Sequence, residues 1–148
     1  MKIPLVAVPI LMLLGASSAQ AHVRVFPLES RPGATETYTM YVPTEGKSAT
    51  VSVELDVPDG VNIVSIDGPS DAFVLRKNGT RIEAITWKAN IPPGENQAFR
   101  FVASNPGTPG QIAWKAHQQL ADGTRNDWVE APGTKRPASI TTLTVTRP

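Results

Sequence analysis

The chain has 148 residues, with 14 Lys and Arg against 13 Asp and Glu, two His, three Met and no Cys. Without Cys there is no disulfide, thiolate nucleophile, zinc finger or iron–sulfur cluster, so a transition metal here must be held by nitrogen and oxygen. A charge so close to neutral lacks the basic patch that a nucleic-acid or anionic-membrane partner requires.

Residues 1–21 read as a secretory signal: Lys2 is the positive region, Leu5 to Leu14 the apolar core, and Ala19-Gln20-Ala21 an A-x-A cleavage site. The apolar core is shorter than the ~20 residues that span a bilayer. Cleavage after Ala21 removes Lys2, balances the charges and leaves 22–148 as one domain beginning at His22. The mature chain is then expected to be periplasmic or secreted, with no membrane span and with Met40 as its one methionine. So little sulfur argues against a Cu(I) site.

Short runs of Val, Ile, Thr and aromatics, separated by Pro and Gly, predict an all-β sandwich of eight or nine strands. His22–Phe26 and Glu36–Val42 alternate. Thr50–Val57 places Val51, Val53, Leu55 and Val57 inward and ends at Pro58-Asp59-Gly60. Val61–Ile66 follows, then a loop around Gly68-Pro69. Phe73–Leu75 and Arg81–Trp87 flank Asn78-Gly79, where a hairpin turn is preferred to a glycosylation sequon. After Ile91-Pro92-Pro93-Gly94, Gln97–Ala103 puts Phe99 and Phe101 on one face. Gln111–Leu120 groups Ile112, Trp114 and Ala116, and Ser139–Val145 closes the sheet. Trp87 and Trp114 read as core.

A free N-terminal His22 offers its α-amine and ring Nδ1 as a chelate, with reference pKa values of about 7.7–8.0 and 6.5. Nitrogen-preferring divalent ions displace the amine proton near neutrality, and affinity peaks at Cu(II). The plain alternative is a solvated, unused His. An antiparallel hairpin about Ser30–Gly33 brings the N-terminus to Val42-Pro43-Thr44-Glu45, so Glu45 is the nearest carboxylate, with Glu36 and Glu54 as alternatives. With Asp122-Gly123 as a two-residue turn, His117 pairs with Trp128. Trp128 is then a binding-surface aromatic or half-buried packing. His117 is either a second imidazole for the metal or a cross-strand neighbour of Trp128. No phosphate loop, HExxH or G-x-S-x-G motif is present.

HVRVFP after a cleavage site, then ETYTMYVPTE, VSVELDVPDGV, ITWKANIPPGENQAFRF, IAWKAHQQLADGTRNDWVEAPG and PASITTLTV together resemble the YcnI-like family of exported copper-binding domains. The resemblance covers nearly the whole mature chain. It implies a β-sandwich, which the strand spacing suggests is immunoglobulin/fibronectin-like, that binds Cu(II) (Cu2+) through a single-histidine brace, with metal-site residues His22, Glu45 and Trp128. Relatives carry an aromatic-Gln pair where this chain has His117-Gln118, and a Gly-Trp where it has Ser70-Asp71-Ala72-Phe73. Many also carry a C-terminal membrane anchor, which is not expected in a chain ending at Pro148. The expected function is copper homeostasis without catalysis, by buffering copper or delivering it to other periplasmic copper-handling proteins. The alternatives are a histidine-brace copper oxidase or monooxygenase, and a metal-free interaction module.

Overall fold

The computed structural model describes residues 21–145. The signal segment proposed for residues 1–21 lies outside the described residues except for Ala21. The strands are β1 (Arg24–Phe26), β2 (Glu29–Ser30), β3 (Thr35–Pro43), β4 (Thr50–Asp56), β5 (Asn62–Ile66), β6 (Phe73–Asn78), β7 (Arg81–Ile91), β8 (Asn96–Ser104), β9 (Gly110–Trp114), β10 (Ala116–Leu120), β11 (Arg125–Trp128) and β12 (Ser139–Leu143). A 3₁₀ turn, Ser70–Ala72, precedes β6. No helix among the described residues is long and apolar enough to cross a membrane.

One sheet runs β1-β3-β8-β5 and a second β11-β10-β4-β7-β6. A small third sheet, β2-β12-β9, adjoins the first where the Val25 amide donates to Ser139 Oγ at 2.9 Å. Alternation along the strands explains the layers. Tyr38, Met40 and Val42 of β3 and Phe99 and Phe101 of β8 meet Val53, Leu55, Ile85, Trp87 and Trp114, all buried. The Tyr38 ring lies 4.8 Å from Trp114 and 5.6 Å from Phe101, spacings at which aromatic pairs attract beyond their area. The Tyr38 hydroxyl donates to Asn105 Oδ1. Burial first, and then the nearby Glu36 charge, push its pKa up to about 12. Met40 is fully buried in this core, so its sulfur is not presented to a surface ligand.

The all-β sandwich, the hairpin at Asn78-Gly79 and the core positions of Trp87 and Trp114 agree with the sequence reading. Three features differ. Val51 faces solvent at 40% exposure, while Thr50 is fully buried, because the register of β4 against β7 shifts between Thr50 and Ser52. Such a bulge turns one residue out of phase. Gln111–Leu120 is not one strand: the chain changes sheets at Lys115, whose carbonyl accepts from the Asp56 amide at 2.9 Å. Finally, the turn after β10 has three loop residues, closed by the Leu120 amide on the Thr124 carbonyl at 2.9 Å. Gly123, at φ +88°, takes the left-handed position such a loop requires.

Candidate metal centre

The antiparallel register of β1 on β3, Arg24↔Tyr41 through Phe26↔Thr39, carries the N-terminal segment back alongside Pro43 and Glu45. Thr44 is fixed there on three sides. Its amide donates to the Glu95 carbonyl at 2.9 Å, its carbonyl accepts from the Gly94 amide at 2.8 Å, and its hydroxyl meets that of Thr50 at 2.6 Å. The Pro92-Pro93-Gly94 turn thus anchors the base of the Glu45 loop. The Glu45 side chain reaches the N-terminal segment, where Oε1 accepts from the Ala21 amide at 2.9 Å.

His22, Glu45 and Trp128 line a single pocket with Gln118 and Asn126. The His22 and Trp128 ring centroids are 5.8 Å apart and inclined at 56°. His22 Nε2 is buried without a hydrogen-bond partner. A buried polar atom of this kind is costly unless something satisfies it, so the ring fits a site that takes a ligand. The chemistry of the donors, imidazole nitrogen and carboxylate oxygen, suits a divalent transition ion.

Glu45, rather than Glu36 or Glu54, is the carboxylate brought to His22. Glu36 accepts from Ser30 Oγ at 2.8 Å at the other end of β3, and Glu54 lies on the outer face of β4 near Thr86 and Arg76. The expected position of Trp128 needs correction. The three-residue turn pairs Ala116 with Trp128 and His117 with Asp127. Trp128 therefore points inward and is 4% exposed, neither a surface aromatic nor half-buried. Its indole N–H donates to Gln118 Oε1 at 3.1 Å, so it faces the pocket with its ring and not with a free donor.

The residue missed in the sequence is Gln118, buried like the core around it. Its Nε2 donates to the Pro43 carbonyl at 2.8 Å and to Thr50 Oγ1 at 2.6 Å. It ties the base of the Glu45 loop, the β4 bulge and Trp128 into one network. Its phase with Ile112, Trp114 and Ala116 was the available signal.

His117, one residue away, faces the opposite side of the sheet. Its Nδ1 lies 2.6 Å from Asp127 Oδ1 and its Nε2 2.8 Å from Asp56 Oδ2. Burial disfavours the imidazolium, but the hydrogen bonds to Asp56 and Asp127 outweigh it and raise the pKa above its ordinary value. The Arg125 guanidinium, first, and then His117 hold the Asp127 carboxyl below the usual range. His117 is thus neither a second imidazole in the His22 pocket nor a cross-strand partner of Trp128.

The fold and pocket define a class: a single immunoglobulin-like β-sandwich with a nitrogen and oxygen donor pocket at its N-terminal edge. Residues 66–143, more than half of the chain, match a family described as a domain of unknown function (DUF1775). The chain is 36% identical over 137 residues to the copper-binding protein CutI of Bacillus subtilis (strain 168), covering 90% of this chain and 67% of that one. A solved structure from Nocardia farcinica, of an uncharacterized protein with an immunoglobulin-like fold, superposes with a TM-score of 0.69 at 24% identity, covering 84% of this chain and 99% of that one. The chain belongs to the YcnI-like, DUF1775 family. The Bacillus relative is named for the metal it binds and not for a reaction.

Proposed function

We propose that this chain is an exported Cu(II)-binding protein of copper homeostasis, which buffers or delivers copper through a brace at His22. The observation that carries the reading is the convergence of His22, Glu45 and Trp128, from distant parts of the sequence, on one pocket. The copper-binding name of the Bacillus relative supports the choice of metal. Removal of residues 1–21 frees the α-amine of His22, which with the ring Nδ1 chelates the ion. Glu45 contributes an oxygen and a negative charge. Trp128, held by Gln118, walls one side of the pocket against water. Cu(II) heads the divalent affinity order for such donors.

An oxygen-activating enzyme of the two-histidine type is disfavoured by a specific observation. The second of the two imidazoles, His117, is turned to the other face of the sheet between Asp56 and Asp127.

The test uses protein exported with its own leader, weighed intact and titrated with Cu(II) while EPR and Trp fluorescence are recorded. The expected result is a mass beginning at His22, one tightly bound Cu(II), and quenched emission. His22→Ala should abolish tight binding. A chain of the right mass that takes no stoichiometric copper would leave the fold as a metal-free interaction module and sink the brace.

A further inference from the structure

The outer face of the second sheet carries a second group of donors, built from three neighbouring strands. Glu54 and Asp56 alternate on β4, and His117 on β10 stands directly across from Glu54. Asp127 on β11 stands across from His117 on the other side. One ligand atom each from Glu54, Asp56 and His117 lie within 4.8 Å of one another, and all three residues are partly buried. We infer that this face holds a second cation site, independent of the N-terminal pocket, in which His117 Nε2, Asp56 and Glu54 take a divalent transition ion such as Zn2+.

The hydrogen-bond pattern around the ring supports the assignment. A metal-ligating His almost always donates its other ring N–H to a carboxylate, a backbone carbonyl or water, which fixes the tautomer and aims the free nitrogen at the ion. Asp127 Oδ1, 2.6 Å from Nδ1, stands in that role, and Arg125 Nε holds the same oxygen at 2.7 Å. With Nδ1 so engaged, Nε2 is the atom directed at Asp56.

The charges facing the ring are Glu54 and Asp56 from β4 and Asp127 and Arg125 from β11, with Arg76 of β6 3.7 Å from Glu54. Against a neutral ring, three carboxylates outnumber two guanidiniums. A proton on His117 or a metal ion can meet the two carboxylates that converge on the ring. Metal and proton then compete for one nitrogen. A ring nitrogen with two carboxylates is a donor set used by Zn2+.

The test separates this face from the N-terminal pocket by using a chain that retains Ala21, in which the His22 α-amine is an amide. Zn2+ is titrated into it by calorimetry near neutral pH, with the His117 ring nitrogens followed by NMR. One Zn2+ is expected, with a shift at His117 Nε2 and an affinity that falls as the pH is lowered. Asp127→Asn should weaken binding by about 10–100-fold, and Glu54→Gln and His117→Gln by at least as much. Glu54→Gln keeps the test intact where His117→Gln impairs folding. Absence of stoichiometric Zn2+, or binding that neither Glu54→Gln nor His117→Gln weakens, would overturn the proposal. Copper binding by the mature N-terminus is unaffected by either outcome.

Discussion

Gln118 is 2% exposed and pairs both ends of its amide with protein: the carbonyl with the Trp128 indole, the amino group with Pro43 and Thr50. Removing it strands the Trp128 indole N–H in the interior and takes a donor from the Pro43 carbonyl and from the Thr50 hydroxyl, which keeps Thr44 as its partner. Leaving buried groups unpaired costs more than the net worth of the bonds themselves. Gln118→Leu keeps the volume and is expected to lose about 3 kcal/mol in urea denaturation, with Trp emission perturbed as the ring is released. A loss within the few tenths typical of a surface change would mean that the network is incidental. His22 and Glu45 could be read from the chain before any fold was known. Glu45 followed from hairpin geometry, because the strand lengths on either side of Ser30–Gly33 set which end of β3 meets His22. Gln118 was equally in phase with the core, but a polar side chain in an apolar row reads as an outward position until its partners are known.

At the scale of strands, alternation exposed most of the fold, since period-two burial is written directly in the residue types. Where it misled, long-range pairing was responsible. The bulge that turns Val51 outward and Thr50 inward depends on how β4 meets β7. The third loop residue after β10, which moves Trp128 into the core, depends on how that hairpin closes. The surroundings of His117 were hidden for the same reason, because nothing local says that β4 lies beside β10. His117 now links β4, β10 and β11 through Asp56 and Asp127, and this linkage is pH-dependent. Its folded pKa is raised, so its contribution to stability is fully present below the unfolded value of 6.5 and is lost as the pH rises through the higher folded value. In the presence of a chelator, the stability gap between the natural chain and His117→Gln is expected to be widest in mild acid and to narrow through neutrality. Urea midpoints across that range measure it, and a gap that stays constant would show that the imidazolium is not what holds the strands.

For the molecule as a whole, metal binding at one edge must appear as stability of the whole sandwich if folding is cooperative. A ligand at a hundredfold excess over its Kd stabilises the folded state by about 2.7 kcal/mol, roughly a 10 °C rise in Tm for a domain of this size. Cu(II) is expected to give that shift in the chain starting at His22 and not in one retaining Ala21, as read by thermal unfolding. Equal shifts in both would place the copper elsewhere. The crossing at Lys115 adds a different consequence. The chain enters the second sheet there with Gln118 facing the pocket and His117 facing away, and strand side chains exchange faces with every single step of register. An insertion of one residue at that crossing, absorbed by β10, would put His117 in the place of Gln118, toward His22, and send Gln118 outward. The pocket would then present two imidazoles in place of one, and the outer face would lose its nitrogen. In this fold, a single codon separates an arrangement suited to holding a metal from one equipped for chemistry with it.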